Sequence, residues 1–286
     1  MAPSDPDLLP LVAAHTERFV ATTRSLDDVD APSLCEGWTR GHVASHVARN
    51  ADGLERLVRA TVDGTRDTMY ASREARDADI EAGARRSPAD LADDVEVTAA
   101  ALAEALPRLG PEHADHPLER TPGDVRGRAA DIPTMRLREL TWHHVDLDAG
   151  FGFADLEPEV VSLFLDEEVE RLRGLDDAPD VTLRSTEGDE WTVGVGTTSV
   201  TGDRSALLGW LARGITDGVS GDPLPGSRRG GERRGVHRRG DTGRPQRRAR
   251  PRPAHRPQDG RLRHAQQRLP PHLHGHRRAA DGRRGR

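Results

Sequence analysis

Arg138-Glu139-Leu140-Thr141-Trp142-His143-His144-Val145-Asp146-Leu147 reads as a helix with a chemically loaded face. Glu139 and His143 stand four residues apart, so on a helix they project from one face, a turn above each other. A carboxylate and an imidazole held that way can share a divalent metal once another element brings a third ligand. His46 is the best candidate, in Gly41-His42-Val43-Ala44-Ser45-His46-Val47-Ala48-Arg49-Asn50. Two histidines and one glutamate leave coordination positions open, the pattern of a catalytic rather than a structural metal. His42 lies four residues before His46, but in the first helical turn, where exposure is common; it stays outside the set. His144 points about 100° round the helix from His143 and is left out as well.

The flanking sequence supplies the helices that such a site needs. Residues 6–26 carry Leu8, Leu11, Val12, His15, Phe19 and Leu26 on one stripe, with His15 as a hydrogen-bonded core histidine or a group at the site's edge. Thr39 caps a helix running to about Val62, in which Val43, His46, Val47, Asn50, Leu54, Leu57 and Val58 follow a three-and-four spacing. Asn50 therefore falls on the buried side, where a polar group needs a partner. The polar connection 63–86, with Tyr70 and a short helix over 72–82, is either a site lid or plain packing. Ser87-Pro88-Ala89-Asp90 opens a further helix, with Leu91, Val95, Thr98, Leu102 and Leu106 inside. A Gly/Pro-marked stretch at 110–133 leads to the last helix, from about Thr134 to Leu147. Four amphipathic helices joined by loops of mixed length predict a four-helix bundle over residues 1–150, with room for metal ligands on facing helices.

Residues 154–222 read differently, as a small α/β domain. A helix over 158–173 turns Val161, Leu165, Val169 and Leu172 inward, and 181–185 with 191–195 form a hairpin around Glu187-Gly188-Asp189. Asp203 or Ser205 caps a final helix that packs through Leu207, Leu208, Trp210 and Leu211. The fold class is thus α+β. Beyond Pro225 the composition changes abruptly. None of the 42 basic residues is lysine, and 20 of these arginines follow Pro225 against four acids, whereas the preceding 225 residues hold 22 arginines and 44 acids. Residues 226–286 carry repeated arginine pairs, prolines and six of the 13 histidines without helical or strand period, which predicts a disordered tail. Such a tail either binds a polyanion through its charge or is a GC-biased extension, even a misread frame, without a selected role. The acidic remainder would repel nucleic acid, so any such partner is confined to the tail.

Cys35 is the only cysteine, which excludes an intrachain disulfide and thiolate zinc fingers and suits a reducing cytoplasm. Neither a signal peptide nor a run of about 18 apolar residues is evident, so a soluble, cytoplasmic protein without a membrane partner is expected.

The stretches Ser33-Leu34-Cys35-Glu36-Gly37-Trp38-Thr39, the helix around His46, Met69-Tyr70 with 76–84, and Met135 through Leu147 resemble, in order, the mycothiol-dependent maleylpyruvate isomerase family of actinobacteria, within the DinB-like metal-binding bundles. Gly209-Trp210-Leu211-Ala212-Arg213 resembles the end of the family's C-terminal module, so the resemblance spans roughly residues 8–222. It implies metal ligands at His46, Glu139 and His143, the trio that spacing also selects, with zinc as the usual metal and mycothiol as thiol cofactor. Arg213 matches a C-terminal arginine that helps hold thiol or substrate carboxylate, and is the candidate catalytic residue. Asn50, Tyr70 and Arg138 are the candidate cofactor contacts, with Arg136, Arg138 and Arg213 as possible carboxylate anchors. The tail is foreign to the family, and many members act on other substrates. The expected activity is thiolate addition to a cis double bond, rotation and elimination, on a carboxylate-bearing electrophile. The alternatives are a thiol S-transferase acting on another electrophile and a non-catalytic metal- or thiol-binding bundle.

Overall fold

The computed structural model describes residues 8–221; the tail expected over 226–286 lies outside the described residues. Helix α1 spans Leu8–Arg24, α2 Arg40–Asp63, α3 Arg73–Gly83, α4 Pro88–Ala105 and α5 Ile132–Asp146. In the bundle, α1 and α2 each pack against both α4 and α5, so α1 and α2 stand diagonally across it. Phe19, Val43, Val47, Leu91, Val95, Leu140 and Leu147 close one part of its core. Leu54, Leu57, Val58, Tyr70, Leu102 and Ile132 close the other. Thr39 caps α2 as its sequence predicts, and His42 completes the capping box: its Nδ1 lies 3.2 Å from the Thr39 N–H and accepts from it. Its Nε2 meets Glu81 at 2.9 Å, so His42 is committed to the cap and to α3.

The α2–α3 contact depends on Gly41. A β-carbon there would come within 1.9 Å of the Ala84 carbonyl oxygen, a backbone atom that cannot swing aside. Gly41→Ala is therefore expected to destabilise the fold by about 3 kcal/mol, at the upper end of overpacking costs. Its urea midpoint, with an unchanged slope, measures this; an unaltered midpoint would mean that α3 can shift without loss.

The 110–133 stretch holds more structure than its punctuation predicts. Strands β1 (Pro117–Glu119) and β2 (Val125–Arg128) pair antiparallel, and the Met69 and Tyr70 N–H groups donate to the Glu119 and Arg120 carbonyls. Only Leu118 is buried in these two short strands, so they lack the apolar alternation that marks a strand in sequence. Helix α5 also begins earlier than expected, at Ile132, with Pro133 in its first turn.

In the second half, α6 spans Pro158–Arg173, β3 Val181–Ser185, β4 Glu190–Val193, β5 Thr198–Gly202 and α7 Arg204–Arg213. The expected hairpin forms, with Val181 opposite Val193 and Arg184 opposite Glu190. A third strand joins it: β5 runs parallel to β3 on its other side, giving the order β4-β3-β5. This strand buries Val200 but is otherwise Thr, Ser and Gly, so its pairing is decided by β3 rather than by its own pattern. Leu165, Val169, Leu172, Leu207, Trp210 and Leu211 pack against Val181, Leu183, Val193 and Val200. Asp203, not Ser205, caps α7.

The two halves share a core, in which Leu137, Trp142 and Val145 of α5 pack with Phe153, Val161, Phe164 and Leu208. Glu157, at the start of α6, receives His15 Nε2 at 2.8 Å and Arg18 at 2.7 Å from α1. His15 is thus a hydrogen-bonded core histidine. Among the described residues no helix is long and apolar enough to cross a membrane.

Candidate metal centre

Helices α2 and α5 bring His46, Glu139 and His143 together. His46 Nε2 lies 2.9 Å from Glu139 Oε2, and His143 Nε2 lies 3.2 Å from the same oxygen. All three ligand atoms fall within 4.8 Å of one another. Zinc bonds of about 2.0–2.1 Å in a tetrahedron separate neighbouring ligand atoms by roughly 3.3 Å, so this donor set fits a divalent metal with little rearrangement. The two rings stand nearly perpendicular, at 89°, with centroids 4.7 Å apart. Trp38 packs beside both, at 5.3 Å from the His46 ring and 6.4 Å from that of His143.

Without a metal, protons link the trio. Burial pushes the His46 imidazole down to about 4, against the pull of Glu139, and leaves it neutral at neutral pH. Burial also opposes charge on Glu139 and His143. For Glu139 the facing imidazoles outweigh it and hold the carboxyl well below its ordinary range. For His143 the hydrogen bonds with Asp146, Cys35 and Glu139 outweigh it and keep the ring protonated. A cation thus already sits against Glu139.

Behind His143 stands a group that spacing did not select. Asp146 is fully buried and accepts from His143 Nδ1 at 2.8 Å. Arg213 grips the same carboxylate with Nε at 2.6 Å and a terminal nitrogen at 2.7 Å. The Cys35 thiol donates to it at 3.2 Å. Metal-bound histidines commonly give their second ring nitrogen to a carboxylate in this way, which fixes the ring and its tautomer. Asp146 lies three residues after His143 on the same helix, an i,i+3 spacing from which the contact could have been read. Cys35, His143 and Asp146 also form a close group of possible ligands. With Arg213 on both oxygens of Asp146, that group reads as a hydrogen-bonded network.

The other expected site residues are distributed as follows. Arg213 reaches the site from α7, with its guanidinium 4.9 Å from the Trp142 ring centre. Tyr70 is buried beside Arg76, and burial pushes its phenol up to about 12. Asn50 is buried, and its side-chain oxygen accepts from Arg136 at 2.9 Å. Arg136, fully buried, also donates to the Val47 carbonyl at 2.8 Å. Arg138 turns the other way, onto Glu167 and over Trp142 and Phe164. His144 faces α1, with Nε2 2.7 Å from the Thr22 hydroxyl and its ring stacked on Phe151 at 3.8 Å. A cavity of about 500 Å³ near that side is lined by Arg18, Thr22, Phe151 and Glu157 among others, and by none of the trio. Trp38 and Arg76 complete the surroundings of His46. Both lie in stretches that carry the resemblance, but neither has a spacing that would single it out.

No curated protein matches the chain. A solved structure of the mycothiol-dependent maleylpyruvate isomerase shares its fold, with 25% identity, a TM-score of 0.69, and 78% of this chain and 96% of that chain covered. A crystallised mutant of that enzyme matches at 24% identity over the same shares, also with a TM-score of 0.69. The sequence model of the mycothiol maleylpyruvate isomerase N-terminal domain matches residues 12–148, the segment that holds His46, Glu139 and His143. Residues 12–148 thus carry the N-terminal domain of the mycothiol maleylpyruvate isomerase family.

Proposed function

We propose that the protein is a metal-dependent isomerase that uses mycothiol to convert a cis-enedioate of the maleylpyruvate type into its trans isomer. The observation that carries this reading is the convergence of His46 Nε2, Glu139 Oε2 and His143 Nε2, with Asp146 on the far nitrogen of His143. Zinc suits two imidazoles and a carboxylate with positions left open. When bound, it would lower the pKa of the thiol and so supply a thiolate able to add to the double bond and to leave again after rotation. His46 and His143 supply neutral ring nitrogens and Glu139 supplies charge. Asp146 keeps the His143 proton on Nδ1, so that Nε2 is free to ligate. Trp38 packs beside both rings. In this division of work the helical half, within residues 1–150, supplies the ligands, and the α/β half, within 154–222, supplies Arg213. A single free thiol at Cys35 suits the cytoplasm.

The reading is tested on the full chain, purified without chelators, by metal analysis and by titration with mycothiol while proton release is followed. One metal per chain and a proton released on thiol binding support it, and formation of a trans product from maleylpyruvate completes it. A stable thioether instead identifies an S-transferase, and metal binding without turnover identifies a binding protein. Arg213→Ala is expected to lower turnover about 10- to 100-fold while the metal stays bound, because Asp146 loses its clamp. An unchanged rate would restrict Arg213 to structure.

A further inference from the structure

Of the three arginines that sequence offers as carboxylate anchors, Arg138 is bound to Glu167 and Arg213 to Asp146, whereas Arg136 is sealed in the core, with one nitrogen on Val47 and Asn50 and no exposed surface for a ligand. Arg76 and Arg120 are different. The Arg76 guanidinium lies 5.7 Å from the Trp38 ring centre and 5.8 Å from that of Tyr70, with one terminal nitrogen 3.3 Å from His46 Nδ1. Its acid partner is its own neighbour, Asp77, and its buried Nε has no hydrogen-bond partner among the described residues. Arg120 follows β1, and its carbonyl accepts from the Tyr70 N–H. Its guanidinium has no ion pair among the described residues. The backbone hydrogen bond, at 2.8 Å, sets Arg120 beside Tyr70, the residue whose ring faces Arg76, and burial followed by the Arg76 charge pulls the Arg120 guanidinium below its ordinary value.

Asp77 answers Arg76 alone, so the two guanidiniums, half withdrawn from water, carry one more positive charge than the acid bonded to them, and a further anion would complete the arrangement. Glu139 offsets them only while its charge is not directed at a metal. The planar donor fork of an arginine matches a carboxylate in particular.

His46 links this pair to the metal centre. Its Nδ1 now faces a donor, Arg76. A neutral imidazole that ligates through Nε2 carries its proton on Nδ1, so two donors would then meet. The Arg76–His46 hydrogen bond and metal ligation therefore exclude each other.

We propose that Arg76 and Arg120 form a carboxylate-binding subsite beside His46 that receives a carboxylate of the electrophile, and that ligation of His46 through Nε2 releases Arg76 for it. This rests on the metal-dependent reading above. It assigns substrate recognition to the α3 and β1 side of the site, leaving Arg213 and Asp146 to position His143.

The test uses the full chain loaded with zinc and titrated calorimetrically with succinate, an unreactive dicarboxylate, with its neutral diamide as control. Succinate binds and the diamide does not. Arg76→Gln and Arg120→Gln each weaken succinate binding by about tenfold or more, the loss expected for a hydrogen bond to a charged group. Both retain one zinc per chain. The zinc-free wild type binds succinate at least about tenfold more weakly than the loaded protein, because Arg76 is then held by His46. Arg120→Gln removes no side-chain hydrogen bond among the described residues, so it remains informative even if Arg76→Gln fails to fold, which circular dichroism reports. Unchanged succinate affinity in zinc-retaining variants would place the carboxylate on the metal alone and overturn the subsite. Equal affinity with and without zinc would overturn the release of Arg76. A wild type that takes up no zinc fails earlier, in the metal analysis, and removes the reading beneath the proposal.

Discussion

His46→Ala is expected, on the metal-dependent reading proposed above, to leave a folded helical protein that retains no metal and turns over substrate at least about 100-fold more slowly, beyond the 10- to 100-fold typical of losing an outer partner. The reason is ligand number. Glu139 and His143 sit one turn apart on α5, and α2 provides the remaining member of the trio across the bundle. Two ligands from one helix hold a divalent ion weakly, and the third also fixes the angle of approach. The fold survives because most of α2's buried surface comes from Val43, Val47, Leu54, Leu57 and Val58, which the substitution leaves in place. Metal analysis and a helical circular dichroism spectrum on the same sample check both halves of the expectation. Full metal occupancy in this variant would remove His46 from the ligand set.

Asp146→Asn is the second large effect, and it acts on stability as well as on the site. The carboxylate is completely buried and carries the Arg213 fork, the His143 ring proton and the Cys35 thiol. Asparagine keeps one acceptor but sets an N–H₂ group against these donors and leaves Arg213 without its counter-charge. Breaking a buried pair costs about 3 kcal/mol. The looser His143 ring should also weaken metal binding about 10- to 100-fold.

The effect depends on pH in a defined direction. Burial pushes the Asp146 carboxyl up, but the hydrogen bonds from His143 and Arg213 outweigh it and hold it far below the ordinary carboxylate value. A depressed folded-state value contributes stability that is fully present above the unfolded carboxyl pKa of about 3.9 and is lost as pH falls towards the folded value. Wild type and Asp146→Asn should therefore differ most in urea midpoint near neutrality and converge below about pH 4. A constant difference down to pH 2 would assign the loss to packing alone.

Much of this architecture is local and can be read directly from the chain. Thr39, Ser87 and Asp203 each cap a helix where their hydroxyl or carboxylate satisfies free N–H groups. The apolar spacing of each helix chooses its buried face without help from the rest of the molecule. The Glu139–His143 pair belongs to the same class, because four residues on a helix leave no freedom about relative direction. That His46 would meet them rested on an apolar stripe and a resemblance, since nothing in a sequence states which faces of two helices touch.

What only the tertiary structure decided lies where partners come from different elements. Strand β5 exists because β3 offers it an edge, and β1 and β2 pair with little apolar pattern of their own. Asp146 acquires its role through Arg213, 67 residues away in sequence. Arg138, a neighbour of Glu139, turns to Glu167 of α6, whereas Arg76 comes to His46 from α3. Sequence determined which residue types were available and which helical faces would be buried, because backbone geometry and the hydrophobic effect act on a few neighbouring residues at a time. Which charge meets which was settled by packing, because a long arginine side chain can reach in many directions and takes the one where a buried carboxylate, ring or imidazole already waits.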